Sequence, residues 1–218
     1  MGDMTAGIRS VFLDERDAQE GQTIAFPWIL RELNFNGKIR ALDVGAGGFV
    51  GKNTTIHLLE VLGADVVAIE LDGPRASALR DAYPGINVIQ GDINEYEYEE
   101  GPFDLIVSDL DSSLVSLTMT KLLNPFAANL KIGGYFITLI VYDLAAYRGE
   151  NPLLAASGEK RQAEFLREFY GTTRVGVDTA RRALRDSQLR VIGIIDKFLG
   201  HHARGLGVGW LVTQKVRD

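Results

Sequence analysis

Cysteine is absent from this sequence, and methionine, tryptophan and histidine number only 3, 2 and 3. Without cysteine, disulfides, thiolate metal ligands and a cysteine nucleophile are all excluded. Long hydrophobic runs are missing as well: the most apolar one, YFITLIV, covers only Tyr135 to Val141, whereas a bilayer-spanning helix needs about 20 residues. The first residues lack the basic-then-apolar order of a secretory signal. We therefore expect a cytoplasmic protein with no membrane segment.

Charge is unevenly distributed along the 218 residues, which carry a net charge of -6. Up to Leu139 there are 10 basic and 20 acidic residues, and from Ile140 onward there are 13 and 9. A basic last third is compatible with an anionic partner, because local potential matters more than net charge. A solvated helix face explains it equally simply and is the interpretation we prefer.

Apolar segments of strand length alternate with amphipathic segments of helix length, which is typical of an α/β protein. Short strands without polar alternation indicate a parallel sheet covered on both faces. The predicted strands are Ile39 to Val44, Asp65 to Glu70, Ile86 to Gln90, Phe103 to Asp109, Gly134 to Val141, Leu189 to Asp196 and Gly207 to Val216. The predicted helices are Glu20 to Leu33, Lys52 to Leu62, Pro74 to Tyr83, Ser112 to Leu130, Ser157 to Tyr170 and Asp178 to Ser187.

The last two predicted strands are joined by a connection too short for a crossover helix, so they should pair antiparallel. The sequence thus predicts one doubly wound α/β domain. Its seven-stranded sheet is mostly parallel, ends in a C-terminal antiparallel hairpin and has helices on both faces.

Four glycines, Gly45, Gly47, Gly48 and Gly51, follow the first predicted strand. This is where an open α/β sheet binds ligands, and missing side chains let a ligand approach the backbone closely. The helix predicted to begin near Lys52 offers free backbone N–H groups to an anion. The pattern predicts a site for a nucleotide-like group.

Three acids stand at the ends of the first three strands. Glu70 can accept hydrogen bonds from both hydroxyls of a ribose. Asp43 would repel a pyrophosphate but could hold a cationic amino-acid group, and Asp92 is placed to accept from an adenine amino group. Simpler roles remain open: Asp43 could cap the amides of the glycine loop, Glu70 could be a surface acid and Asp92 could form a turn.

These residues together resemble the class I S-adenosylmethionine-dependent methyltransferases, a Rossmann-like superfamily of transferases. The glycine motif is matched by LDVGAGG, the ribose-binding acid by VVAIELD, the adenine-side acid by GDI and the fourth strand by FDLIVSD. The resemblance implies S-adenosylmethionine as cofactor and S-adenosylhomocysteine as product. The cofactor-binding residues it implies are Asp43, Gly45, Ala46, Gly47, Gly48, Glu70, Leu71, Asp92, Ile93 and Asp109. One departure concerns the usual third glycine, which is Phe49 here.

We expect a single methyltransferase domain with four parts. These are an N-terminal helical cap (residues 1–37), the cofactor-binding half (38–142), a helical excursion that could act as a lid (143–188) and the terminal hairpin (189–218).

The catalytic candidates are Asp109 and His201. Asp109 occupies the family position that most often faces the acceptor, and Asp111 could join it and a third carboxylate around a metal, although we assign no metal site. His201, with His202, lies in the hairpin loop, where a base or an ordinary exposed residue is expected. His57 lies inside a predicted helix and is interpreted as structural.

Two subfamilies compete for the acceptor. RNA 2′-O-ribose methyltransferases carry motifs similar to GGFVG and VSD, but the lysines they need are missing from FITLIVYD and FPWILREL. Metal-dependent catechol-type O-methyltransferases use acids after the fourth strand, where SDLDSS offers only Asp109 and Asp111. We expect O- or N-methylation of a small molecule, with nucleic acid possible but not favoured, and the oligomeric state stays open.

Two other classes also stay open. An NAD(P)-dependent oxidoreductase would share the glycine turn and the ribose acid, but its third glycine would fall on Val50 and Asp43 would face its pyrophosphate. A noncatalytic cofactor-binding protein could be built on the same fold.

Overall fold

The computed structural model describes residues 28–33, 35, 37–47, 55–97, 99–108, 118–143, 159–198 and 207–218. Within these residues seven strands form one sheet in the order β3-β2-β1-β4-β5-β7-β6. The strands are β1 (Arg40–Val44), β2 (Asp65–Glu70), β3 (Asn87–Gln90), β4 (Phe103–Ser108), β5 (Leu130–Asp143), β6 (Leu189–Phe198) and β7 (Gly207–Lys215). Strands β1 to β5 pair in parallel, and β7 runs antiparallel between β5 and β6. The predicted fold class is confirmed.

The central strands are buried on both faces, as their unbroken apolar sequences require. All residues of β1 and β2 after the first are buried, and β4 has five buried residues of six. Such strands need helices on both sides of the sheet. Strand β5 begins at Leu130 rather than at the predicted Gly134, because Leu130 already pairs with Phe103.

The described helical segments largely match the prediction. They are α1 (residues 28–33), α2 (Thr55–Val61), α3 (Gly73–Ala82), a π-helical turn (Thr118–Leu122), α4 (Leu123–Asn129), α5 (Glu159–Tyr170) and α6 (Val177–Ala183). The described part of the predicted helix Ser112 to Leu130 therefore consists of two pieces, the π-helical turn and α4. Pro125 stands just inside α4 and cannot donate a hydrogen bond to the preceding turn, which explains the change of helix type there.

Helix α6 ends at Ala183 rather than at the predicted Ser187. The Ser187 hydroxyl lies 2.8 Å from the Leu184 carbonyl oxygen, to which it donates. A side chain that satisfies the backbone in this way competes with continuation of the helix.

Two groups of buried side chains hold the layers together. The larger joins α1, through Ile29, Leu30 and Leu33, to the sheet and to α4, α5 and α6. The smaller lies between α2, α3 and strands β2 and β3; its members are Ile56, Ala68, Ala76, Leu79, Tyr83 and Val88. Helix α1 is thus part of the core. In the described part of the chain no helix is long and apolar enough to cross a membrane.

Candidate functional site

A tight turn follows β1 at the edge of the sheet where the parallel strands end, called here the carboxyl edge. Gly45 and Gly47 have φ of 71° and 68°, a left-handed conformation that costs other residues about 1–2 kcal/mol. The amides of Gly45 and Ala46 both donate to the Ile69 carbonyl oxygen, at 3.0 and 3.3 Å. The turn therefore folds back over the end of β2. Its residues, Gly45, Ala46 and Gly47, have small side chains or none, so the backbone is accessible.

Glu70 ends β2 directly beside this turn and is only 7% exposed. Its Oε2 accepts from the Gly47 amide at 2.8 Å, and its Oε1 accepts from the Asp72 amide at 2.9 Å. An ionised carboxylate offers about four acceptor positions, so about two remain for a ligand. Burial and two amide partners exclude the interpretation of Glu70 as a plain surface acid.

Leu71 follows Glu70 and exposes an apolar side chain, at 67%. It lies between Glu70 and Asp72, whose side chain caps α3 by accepting from the Arg75 amide at 2.9 Å. The chain thus turns from β2 into α3 with one hydrophobic side chain held outward at the carboxyl edge.

Asp92 and Ile93 follow β3, the strand next to β2. Asp92 Oδ1 accepts from the Asn94 amide at 2.9 Å and from the Asn94 side-chain nitrogen at 2.7 Å. These bonds lower the pKa of the Asp92 carboxyl, outweighing desolvation, and the charge of Lys121 lowers it further. The turn-forming role of Asp92 is therefore real. Since Oδ2 takes no part in these two bonds, the residue also keeps acceptor capacity for a ligand.

Asp43 lies deeper than the other acids. It is completely buried in β1, opposite Ala68 of β2 and Val107 of β4. A charge held there acts on the edge through the low-dielectric interior, where electrostatic interactions are stronger than in water. Its predicted contact with a cationic group stays a prediction.

The structure brings most of the predicted cofactor residues to one edge. Strands β1, β2 and β3 are neighbours, and Glu70 stands opposite Gln90, so their carboxyl ends adjoin. The predicted residues that gather there are Gly45, Ala46, Gly47, Glu70, Leu71, Asp92 and Ile93. Gly48, Asp109 and His201, as well as Asp111 and His202, lie outside the described residues, so their predicted roles stay untested.

His57 lies inside α2, with its Nδ1 3.7 Å from Glu60 Oε2 and its ring centroid 6.3 Å from that of Tyr83. These contacts agree with a structural role. Among the described residues no group of three or more His, Cys, Asp or Glu side chains could hold a metal ion.

Sequence reasoning missed the partners of Glu70 and two polar residues in the strands. The Gly47 and Asp72 donors are backbone amides, which cannot be recognised from the side chains in a sequence. Ser108, the last residue of β4, and Thr138, within β5, are at most 1% exposed and stand opposite each other. The available signal was a hydroxyl residue directly after the apolar residues LIV in β4 and another inside the apolar run FITLIV in β5.

Residues 42–138 match the sequence model of a family described as a methyltransferase domain. The matched region extends from β1 into β5, so it contains the glycine turn, Glu70 and Asp92. No curated protein matches the sequence.

Solved structures share the fold at low sequence identity. A geranyl diphosphate C-methyltransferase from Streptomyces coelicolor, solved with Mg²⁺, geranyl diphosphate and S-adenosylhomocysteine, is 14% identical with a TM-score of 0.60, covering 88% of this chain and 80% of its own. An S-adenosylmethionine-dependent methyltransferase from Clostridium acetobutylicum is 14% identical with a TM-score of 0.58, covering 94% and 93%. TrmN from Thermus thermophilus is 17% identical with a TM-score of 0.56, covering 87% and 47%.

Proposed function

Because residues 42–138 match the methyltransferase domain family, we propose that this chain is a class I S-adenosylmethionine-dependent methyltransferase and that it transfers the cofactor's methyl group to a small-molecule acceptor. The match over residues 42–138 and the strand order support methyl transfer over hydride transfer. The observation that carries the cofactor assignment is Glu70, a buried carboxylate beside a left-handed glycine turn with acceptor positions to spare. The two adjacent hydroxyls of a ribose can donate to those acceptor positions.

Each part of the carboxyl edge would serve a different part of S-adenosylmethionine. The glycine turn lets the cofactor lie against the backbone, and Glu70 accepts from the ribose hydroxyls. The exposed Leu71 side chain covers a face of the adenine, Asp92 accepts from the adenine amino group, and Asp43 attracts the ammonium of the amino-acid part through its charge. The cofactor supplies a methyl group on a positively charged sulfur, which is already an activated donor.

The protein's remaining task is to align the acceptor atom with that methyl group, since holding reactants in line can supply much of the rate enhancement. A hydroxyl or ammonium acceptor must also lose a proton. Asp109 directly follows β4 in sequence and His201 follows β6; we propose them as the acceptor-facing acid and the base.

A small molecule suits this chain better than RNA. The chain carries 10 basic and 20 acidic residues up to Leu139, a charge balance that repels polyanions from the region holding the proposed site. The S. coelicolor relative in fold is described as acting on geranyl diphosphate, a small molecule. The lysines needed by 2′-O-ribose enzymes are also missing from FITLIVYD and FPWILREL.

Calorimetric titration with S-adenosylhomocysteine, NAD and NADP tests the cofactor. We expect only S-adenosylhomocysteine to bind, and Glu70→Ala to weaken binding by at least about tenfold, since hydrogen bonds to charged groups are strong. Glu60→Ala is the matched control because Glu60, near the end of α2, has a half-exposed side chain and no proposed ligand contact. Binding of NAD, or equal affinity in all three proteins, contradicts the assignment.

Transfer of a labelled methyl group tests the acceptor. Hydroxyl and amine compounds should be labelled in preference to total RNA. Asp109→Asn and His201→Ala should both slow transfer, and His201→Ala should leave S-adenosylhomocysteine affinity within about twofold. Labelling of RNA alone would replace the small-molecule proposal with the 2′-O-ribose one, and no labelling of any acceptor would favour a noncatalytic binding protein.

A further inference from the structure

Glu70 links two segments of the backbone that are separate in sequence. One oxygen takes the amide of Gly47, in the turn after β1, and the other takes the amide of Asp72, at the entry to α3. Ribose binding requires neither bond, because the hydroxyls would use other acceptor positions of the same carboxylate. The Glu70 side chain therefore makes two bonds to the protein backbone at the carboxyl edge that are separate from any bond to a ligand.

The two segments differ in how firmly they are held. Asp72 is fixed independently, because its side chain caps α3 through the Arg75 amide at 2.9 Å. In the glycine turn, the amides of Gly45 and Ala46 bond to the Ile69 carbonyl oxygen, while the Gly47 amide bonds to Glu70. Glycine is conformationally permissive, so the bond from the Gly47 amide to the carboxylate restricts the turn at a residue that would otherwise have many conformations.

We propose that Glu70 is a positioning residue that clamps the glycine turn in its ligand-ready shape before the cofactor arrives. The bond is charge-assisted, at 2.8 Å, and only 7% of the residue is exposed, so solvent screens it weakly. Clamping removes the need to order the turn on binding, and such preorganisation improves affinity. The inference rests on the proposed function only in naming the ligand that benefits.

Glutamate is required by this geometry. Aspartate is one methylene shorter and cannot reach both amides from the same backbone position. Glutamine has the right length but only one acceptor oxygen, so its NH₂ group would face one of the two backbone donors. Both conservative replacements should therefore loosen the turn: aspartate because it is too short, and glutamine because, even with its oxygen turned towards Gly47, it accepts through a neutral group and forms a weaker bond.

Amide hydrogen exchange, followed by NMR without added nucleotide, tests the clamp. In the wild type, the Gly47 amide should be protected. In Glu70→Gln and Glu70→Asp, it should exchange at least about tenfold faster, as expected for loss of a bond to a charged acceptor. The β2 amides of Val67 and Ala68 should stay protected in every variant, which shows that the sheet is folded. Glu60→Gln is the matched carboxylate-to-amide control and should leave Gly47 unchanged.

The outcomes separate the clamp from the cofactor assignment. An unprotected Gly47 amide in the wild type overturns the clamp without any variant. So does unchanged Gly47 protection in a folded Glu70→Gln protein, even if that protein loses S-adenosylhomocysteine affinity. Protection that depends on Glu70 in a protein that binds no S-adenosylhomocysteine supports the clamp and rejects the proposed cofactor.

Discussion

Gly134 stands at the most crowded backbone position among the glycines for which the structure gives close contacts. Strand β5 bulges beside β4 there: Phe103 faces Leu130, but Leu105 faces Tyr135. A Cβ added at Gly134 would lie 2.9 Å from the Lys131 carbonyl oxygen, 3.0 Å from that of Asp104 and 3.2 Å from that of Phe103. All three are backbone atoms of paired strands, so none can rotate away as a side chain would.

The Gly134→Ala substitution should therefore force β4 and β5 apart. Overpacking costs about 1–3 kcal/mol, and three contacts with fixed backbone place the expected loss near the upper end, about 3 kcal/mol. For a chain of this size that loss lowers the melting temperature by about 6–12 °C. Because β4 leads into Asp109, methyl transfer should fall as well if that residue faces the acceptor.

Two control substitutions at other glycines separate the clash from other effects of alanine. Gly133 has φ of 84° and open space around its Cβ position, so Gly133→Ala should cost only the strain of about 1–2 kcal/mol. Gly85 has open space and no positive φ, so Gly85→Ala should be neutral or stabilise by up to about 1 kcal/mol. Urea unfolding measures all three, and a Gly134→Ala protein as stable as Gly85→Ala would refute the packing argument.

Two further predictions concern buried polar groups. Lys215 is 3% exposed and donates to the Leu130 carbonyl oxygen at 2.9 Å, so Lys215→Met should cost about 2 kcal/mol in urea unfolding; equal stability would show that the ammonium is dispensable. The Tyr170 hydroxyl has no hydrogen-bond partner within the described ranges, and burial raises the pKa of Tyr170. Stability is therefore unaffected by this group below the unfolded pKa of about 10, and it falls as the pH rises from there towards the raised folded pKa. Tyr170→Phe should be at least as stable at neutral pH and less sensitive to alkali in thermal unfolding, and a loss at neutral pH contradicts this.

The fold could be predicted because its determinants are local patterns. The apolar run Asp65 to Glu70 gave β2 its observed bounds, and the short connection before the last strand predicted the antiparallel pairing of β6 and β7. The predicted ends of strands and helices were wrong where contacts with other elements determine them. Strand β5 starts at Leu130 because Phe103 of β4 pairs with it. The local sequence around Leu130 does not indicate this pairing.

The site was predictable in its side chains and not in its backbone. The positions of the two glycines and of Glu70 follow from the strand and turn pattern, and their left-handed φ values and burial agree with it. The amide donors to Glu70 could not be predicted, because every residue except proline carries the same N–H group. The depth of Asp43 was equally hidden, since burial depends on the strands placed on either side of β1.

Stability and chemistry occupy opposite ends of this sheet. At the edge where the parallel strands begin, Arg40, Asp104 and Lys131 link three strands: the Arg40 amide donates to Asp104 at 2.8 Å, and the Lys131 ammonium lies 2.8 Å from the same carboxylate. At the carboxyl edge, the bonds of Glu70 shape a turn instead of joining strands. Loops on a rigid scaffold can change without loss of the fold. We therefore expect the sequence after β4, β5 and β6 to determine the acceptor, and the proposed site at the glycine turn and Glu70 to determine the cofactor.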